Sequence, residues 1–319
     1  MNSFHRIGAG FCGTVWTSSS EPAIAYKRED GGPSRSLHHD YTIHKLIESK
    51  LQLLRENTNT NINIQIHLPK CHRFISPSDP WWTTNLPRFP EGSSPCNVIE
   101  VSRIPAIPRA TRETLISKYC PATLQDEIFA SATNRDCLIR PYLGRRLHTP
   151  TSKRSKKSTE GRFQAFSLRN YPLHLDQMEE LELGESGLVQ WYATVMGETL
   201  AILHWGVGVD ANDVEFVLAP PPSPSGDGQT ATNPLGEHTM WILDFDLCRT
   251  ISMDEDGVRQ AVKAYWGNDP FFPRPGLDAK LWGCFREGYL SACLGVVGDS
   301  EGDERVMLSR MFVGLVEMG

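Results

Sequence analysis

The fold of this chain is decided by two stretches, GVGVDANDVEFVL at residues 206–218 and MWILDFDLCR at residues 240–249. In each stretch an acidic residue lies beside a short apolar run of the kind that forms a buried strand. Asp210 precedes the first run by a turn, and Asp244 directly follows the second. We therefore expect both carboxylates to emerge at the ends of adjacent strands, an arrangement suited to a metal ion and a nucleotide.

A glycine-rich stretch near the start of the chain carries a second pattern. Gly8, Gly10, Gly13 and Val15 follow the spacing G-x-G-x-x-G-x-V, and Lys27 lies on the next predicted strand. Glycines let a turn lie close over phosphate groups, and a lysine on the neighbouring strand can reach the same phosphates. The alternative is an ordinary glycine-rich β-turn. A dinucleotide-binding fingerprint is disfavoured because no strand precedes the glycines and no helix follows them.

Apolar residues at helical spacing predict a helix over residues 36–54, with Asp40 on its apolar stripe. An acid on a buried stripe needs a cation. Asp40 is therefore the first candidate partner of Lys27, and Glu48, at the edge of the stripe, is the second. The alternative is that Asp40 only stabilises the start of the helix, where aspartate is favoured.

The spacing of apolar residues and prolines also predicts the other helices, strands and loops. Strict alternation at residues 62–68 predicts a half-buried strand. The proline-rich stretch at 76–94 predicts an irregular loop, with Trp81 and Trp82 either marking a contact surface or, as is commoner, packed beneath the loop. Further helices are predicted at residues 111–120, 123–132, 188–203, 256–266, 278–294 and 304–316, and a strand at 136–142.

Together, the glycine motif, the lysine and the two acidic stretches resemble the protein-kinase-like fold. The resemblance places Asp210 at the catalytic Asp, Glu215 at the metal-binding Asn, and Asp244 at the first residue of Asp-Phe-Gly. Gly208-Val209 stands in place of His-Arg, and Asp246 in place of the glycine. In an active protein Asp244, Glu215 and Asp246 would hold Mg²⁺. Without a divalent cation these three carboxylates would repel one another.

The implied architecture is α+β, a two-lobed protein-kinase-like fold. Residues 1–105 would form a small N-terminal β-sheet lobe with the glycine loop, and residues 106–319 a reduced, mainly helical C-terminal lobe. The second lobe would contain a basic, flexible loop at 145–162 and a loop insert at 220–236.

The same resemblance implies ATP and Mg²⁺ as cofactors. Glu100 and Ser102 would lie in the hinge that binds adenine, Lys27 and the glycine-loop amides would hold the phosphates, and Asp210 would orient or deprotonate the attacking hydroxyl. Two functions remain open: transfer of phosphate from Mg-ATP to a hydroxyl group, or a catalytically inactive, pseudokinase-like binding or scaffold protein. A third interpretation is structural, in which Asp244 only caps or hydrogen-bonds a turn, and Asp210 and Asp213 serve as turn acids before a strand.

The combination of these motifs with Asn268-Asp269-Pro270 also resembles a family of uncharacterised fungal proteins defined by a C-terminal domain of unknown function. The resemblance spans nearly the whole chain and implies no known activity. Some members of that family carry a zinc-finger name. The eight cysteines of this chain form no C-x-x-C pair and have no matching histidine spacing, so no zinc is expected.

Composition limits the partners and the compartment. A net charge of −6 gives no general attraction to nucleic acid, and the basic run from Lys153 to Lys157 lacks interleaved aromatics. No stretch approaches the roughly 18 apolar residues of a membrane helix. The sequence therefore favours a nucleotide or a protein as partner over nucleic acid or membrane. It favours the cytoplasm or the nucleus, with the basic run an open candidate for an import signal.

Overall fold

The computed structural model of the chain describes residues 3–57, 64–147, 166–222, 233–297 and 303–319. Its architecture is α+β, with an antiparallel sheet in the N-terminal region and a mainly helical C-terminal region that includes a smaller sheet. The predicted α+β class is confirmed. Within the described ranges, no helix is both long enough and apolar enough to cross a membrane.

Two predicted loops fall largely outside the described ranges. Residues 148–162 of the basic loop, including the run from Lys153 to Lys157, are not among the described residues, and neither are residues 223–232 of the insert.

The N-terminal sheet consists of β1 (Phe4–Ala9), β2 (Thr14–Ser18), β3 (Glu21–Arg28), β4 (Cys71–Ile75) and β5 (Val98–Ser102). The strand order is β1-β2-β3-β5-β4, and every neighbouring pair is antiparallel. The register places Lys27 of β3 between Val15 of β2 and Ile99 of β5. The lysine therefore lies in the middle of the sheet, next to the strand that leaves the glycine turn.

The predicted first helix is confirmed as α1 (Leu37–Glu56). Ser36 caps it, because its Oγ accepts a hydrogen bond from the backbone N–H of His39 at 3.3 Å. The apolar stripe of α1 packs into the same hydrophobic cluster as the C-terminal helices, and its members are Ile43, Ile47, Leu51 and Leu54. This packing joins the helix to the C-terminal region.

The predicted strand at residues 62–68 is wrong over the part that the structure describes. Residues 64–66 are irregular, and His67 forms a single β-bridge with Trp241. Pro69 follows two residues later, and a proline cannot donate to a strand ladder. The strand that joins the N-terminal sheet begins instead at Cys71.

The proline-rich stretch at 76–94 is more regular than predicted, since it contains the short helix α2 (Trp81–Asn85). The predicted packing of aromatics beneath it is confirmed. Trp82 is 4% exposed, its Nε1 donates to the carbonyl of Ser76 at 3.1 Å, and the ring of Phe4 lies 4.5 Å from that of Phe89. This cluster forms a second, smaller core under the N-terminal sheet.

The C-terminal region is built around a four-stranded sheet and a set of helices. Its elements are α3 (Arg109–Tyr119), α4 (Gln125–Ala130), β6 (Ile139–Tyr142), β7 (Tyr171–His174), α5 (Leu175–Glu180), α6 (Leu188–Ala201), β8 (Glu215–Ala219), β9 (Thr239–Leu243), α7 (Glu255–Gly267), α8 (Ala279–Val297) and α9 (Glu304–Met318). The strand order is β7-β6-β8-β9, with β6 and β7 parallel and the other neighbours antiparallel. The helices predicted from periodicity are confirmed to within a few residues.

The central helix of this region is α6, which packs closely on α8. Gly197 of α6 lies so near α8 that a Cβ atom there would be 2.2 Å from the carbonyl oxygen of Phe285. After α6 the chain continues as a π-helical turn over Ile202–Val207, which ends at Gly208 with φ 85°. This turn leads directly into the Asp210 stretch.

Glu198 on α6 is expected to make stability depend on pH. Its Oε2 is buried and has no hydrogen-bond partner among the described residues. Burial raises the pKa of Glu198 from 4.5 to about 7, against the effect of a hydrogen bond with Gln65. The folded protein therefore keeps a proton that the unfolded chain releases, and this group lowers the free energy of unfolding as pH rises from 4.5 to about 7.

We expect this decrease to be smaller in Glu198→Gln, as measured by urea unfolding at a series of pH values. The exposed Glu287→Gln on α8 serves as the control and should keep the wild-type pH dependence. Identical pH dependence of Glu198→Gln and wild type would contradict the assignment.

Candidate functional site

A cavity of about 200 Å³ lies between the N-terminal sheet and the sheet of the C-terminal region. Val15 and Ala25 form part of one wall, and Leu138 and Leu243 form part of the opposite wall. Of the residues that the sequence singles out, nine line this cavity: Gly8, Gly10, Gly13, Val15, Lys27, Asp40, Ser102, Glu215 and Asp244. The structure places Glu100, Asp210 and Asp246 outside its lining.

Lys27 makes the central contact of this site. Its Nζ donates to Asp40 Oδ2 at 2.6 Å and to Asp244 Oδ1 at 2.7 Å, so the expected pair with Asp40 is present. Burial lowers the pKa of Lys27, but the two carboxylates outweigh burial and hold that pKa well above its ordinary value. The second candidate partner, Glu48, pairs with Lys45 instead. Lys27 is therefore a fully charged bridge between α1 and the residue that follows β9.

Asp244 is held in an unusual backbone conformation. Its φ is 70°, in the left-handed region where aspartate is one of the few tolerated residues. The next backbone N–H, of Phe245, donates to Asp40 Oδ1 at 3.1 Å. Burial opposes ionisation of Asp244, but Lys27 lowers the pKa of its carboxyl below the ordinary value. Asp40 thus binds both the lysine and the backbone beside Asp244.

Asp246 faces Arg35, a residue that the sequence analysis did not single out. Arg35 Nη1 lies 2.9 Å from Asp246 Oδ2 and 3.0 Å from Asp213 Oδ2. The Asp246 side chain is 1% exposed. Because Arg35 precedes α1, this contact ties the start of that helix to the stretch after β9.

Glu215, at the start of β8, pairs with Arg140 of β6. Burial raises the pKa of Glu215 to about 7, although Arg140 acts in the opposite direction. Each of the three predicted metal ligands therefore has its own cation: Lys27 for Asp244, Arg35 for Asp246 and Arg140 for Glu215. These ion pairs relieve the expected repulsion between the acids. Asp246 lies outside the cavity lining, and Asp244 and Glu215 are paired with cations. These residues therefore fit Mg²⁺ poorly.

Asp210 is a buried turn residue in this structure. It is 5% exposed. Its Oδ1 accepts from the backbone N–H groups of Asn212 at 3.1 Å and Arg249 at 2.9 Å, and its Oδ2 accepts from Gln260 Nε2 at 2.8 Å. Both oxygens are engaged in holding the turn before β8 against α7.

The Asn268-Asp269-Pro270 stretch supports the same turn. Asn268 Oδ1 accepts from the backbone N–H of Asp213 at 2.6 Å, and its Nδ2 donates to the carbonyl of Ala211 at 3.1 Å. Asp269 Oδ2 accepts from the hydroxyl of Tyr142 at 2.6 Å. The motif therefore fixes the loop that precedes β8 onto the C-terminal sheet.

The glycine turn between β1 and β2 is closed by its own hydrogen bonds. The N–H of Gly10 donates to the carbonyl of Gly13 at 2.8 Å, and the N–H of Thr14 donates to Asp30 Oδ1 at 2.8 Å. Gly13 has φ 151°, and a Cβ atom there would lie 1.8 Å from the carbonyl oxygen of Arg28. Glycine is required at this position because the backbone of β3 passes too close for a side chain.

The two predicted hinge residues have different positions. Ser102 lines the cavity, and its backbone N–H donates to the carbonyl of Lys70 at 2.8 Å. The carboxylate of Glu100 is turned towards Arg73 of β4, at 2.9 Å. The edge of the cavity at the end of β5 is thus formed by Ser102 and the residues after it.

Comparison with known proteins yields one partial match. A model for a domain of unknown function, described as "Zinc finger protein", matches residues 240–301. No curated protein and no solved structure matches the chain. Across the ranges that the structure describes, no group of three or more His, Cys, Asp or Glu side chains could hold a metal ion. All eight cysteines are free thiols.

Proposed function

We propose that this chain is a kinase-like, catalytically inactive binding protein that takes an adenine-containing ligand between its N-terminal and C-terminal lobes. The observation that carries the proposal is Lys27, held by Asp40 and Asp244 at the inner side of a cavity beneath a glycine turn. In the kinase-like fold, a strand lysine paired with an acid on the adjacent helix defines the nucleotide site. The helix α1 supplies that acid here.

The walls of the cavity support a flat ring as ligand. Val15 and Ala25 face it from the N-terminal sheet, and Leu138 and Leu243 face it from the C-terminal sheet. An apolar slot between two walls favours an aromatic heterocycle, because both faces of the ring are removed from water. Ile104 and Ala106, which follow Ser102, also line the cavity and would supply backbone groups for hydrogen bonds to a ring edge.

The position of Asp210 supports the proposal that the protein is catalytically inactive. A general base must lie within hydrogen-bond reach of the hydroxyl that it deprotonates. The Asp210 carboxylate accepts three hydrogen bonds from the protein and does not line the cavity. The His-Arg pair that precedes the catalytic Asp in the family is also replaced, by Gly208-Val209.

Phosphate transfer from Mg-ATP is the second candidate, favoured by the same lysine bridge. Transfer would require Asp210 to break its three hydrogen bonds with the protein. At least two of the acids Glu215, Asp244 and Asp246 would also have to separate from the cations with which they pair. We expect no transfer of radiolabelled phosphate from ATP to the protein itself or to water, with or without Mg²⁺.

Filling the slot tests the binding proposal. Ala25 is 5% exposed and lines the cavity, whereas Ala23, on the same face of β3, is exposed and lies outside it. Thermal unfolding and isothermal titration calorimetry with adenosine, AMP and ATP should show binding to the wild type. Affinity should fall at least tenfold in Ala25→Leu and should be unchanged in Ala23→Leu. Absence of binding by all three compounds, or equal affinity of Ala25→Leu and wild type, would overturn the proposal.

A further inference from the structure

The geometry points to a ligand of the nucleoside class, a flat heterocycle without phosphate groups, bound without a divalent cation. This inference rests on the proposed function of the cavity and narrows its ligand. It departs from the Mg-ATP expected of a kinase-like site, and three features of the cavity carry it.

The first feature is the balance of charge in the cavity lining. Four acidic side chains and three basic ones line it: Asp40, Asp136, Glu215 and Asp244, against Lys27, Arg103 and Arg140. Each of the three cations is already bound to an acid of the same lining, because Arg103 pairs with Asp136. The lining therefore has no excess of positive charge with which to attract a triphosphate, which would bring several negative charges.

The second feature is the state of the glycine turn. A turn that binds phosphate does so with backbone N–H groups that point at the ligand. Here the N–H of Gly10 binds Gly13, and the N–H of Thr14 binds Asp30. Asp30 also accepts from the Thr14 hydroxyl at 2.8 Å, so its carboxylate binds both donors of Thr14. These two N–H groups, at either end of the turn, are therefore already bound within the protein and would have to exchange partners to bind an anion.

The third feature is the pairing of the predicted metal ligands. A Mg²⁺ ion is bound through carboxylate oxygens and the phosphates of its nucleotide. Asp244 is neutralised by Lys27, and Asp246 is 1% exposed and neutralised by Arg35. To bind Mg²⁺, Asp244 would have to exchange a buried ion pair for the metal. A ligand without phosphates leaves every one of these pairs intact.

The test compares adenosine with ATP by isothermal titration calorimetry on the full chain. We expect adenosine to bind at least tenfold more tightly than ATP in EDTA. Replacing EDTA with an excess of MgCl₂ should change the ATP affinity less than twofold. Tighter binding of Mg-ATP than of adenosine would overturn the inference while leaving the proposed function standing. Binding of neither compound would overturn both.

A substitution at Asp244 distinguishes the effect of the lining charge on ATP affinity from the effect of a bound metal ion. Asp244→Asn removes the negative charge of one lining acid and leaves Lys27 paired with Asp40 alone, so the ratio of ATP affinity to adenosine affinity in EDTA should rise at least fivefold. If Asp244 were a metal ligand, the same substitution would instead abolish a Mg²⁺-dependent increase in ATP affinity. A loss of that kind would count against the inference.

Discussion

Lys27→Met is expected to lower the free energy of unfolding by about 3–5 kcal/mol, the range for removing one partner of a buried ion pair. The substitution leaves two acids without their cation, Asp40 with a side chain 4% exposed and Asp244 with one 26% exposed. Methionine has nearly the same length, so most of the loss should come from charge and little from packing. Urea unfolding at pH 7 measures the difference.

The control for this prediction is Lys45→Met on α1. Lys45 also pairs with an acid, Glu48, but its side chain is 45% exposed. Exposed pairs contribute at most about 1 kcal/mol, so Lys45→Met should change stability by roughly 0.5 kcal/mol or less. Equal effects of the two substitutions would show that Lys27 is not a buried bridge.

Gly197→Ala is expected to destabilise the protein by about 3 kcal/mol, the upper part of the usual range for overpacking. The new Cβ atom would lie 2.2 Å from the carbonyl oxygen and 3.0 Å from the carbonyl carbon of Phe285. These are backbone atoms of α8, so no side-chain rotation can relieve the clash and the two helices must separate. Chemical denaturation monitored by far-UV circular dichroism measures the loss.

The matched control lies on α8 itself. A Cβ atom at Gly283 would meet nothing within 4 Å. Because alanine favours a helix over glycine by about 1 kcal/mol, Gly283→Ala should raise stability by up to that amount. A stabilising effect of Gly197→Ala would show that α6 and α8 lie further apart than a Cβ-to-oxygen distance of 2.2 Å implies.

The helices and the Lys27–Asp40 pair could be predicted from sequence because their signals are local. The stripe of α1 recurs every three or four residues, and an acid on such a stripe must find a cation. The strand prediction that failed over residues 64–68 rested on a correct reading of the alternation in the sequence. It could not be predicted that His67 would use its backbone in a single bridge to Trp241.

The roles of the other acids could not be predicted, because their partners are distant in sequence. Asp246 pairs with Arg35, 211 residues away, and Glu215 pairs with Arg140, 75 residues away. Neither arginine lies in a motif, and isolated charges carry no period or spacing. Asp210 had the expected position before β8, but Gln260 of α7, which binds its Oδ2, becomes its neighbour only in the folded protein.

The packing of α1 has a consequence for the order in which the chain can fold during synthesis. Its apolar stripe belongs to the cluster that contains Phe312 and Val316 of α9, whereas the aromatic core under the N-terminal sheet is separate. A ribosome therefore releases α1 long before the last members of this cluster exist. Contacts of such large sequence separation form slowly, and exposed apolar stripes attract chaperones or other nascent chains. The aromatic core can form first, before the cluster that contains the stripe of α1 is complete.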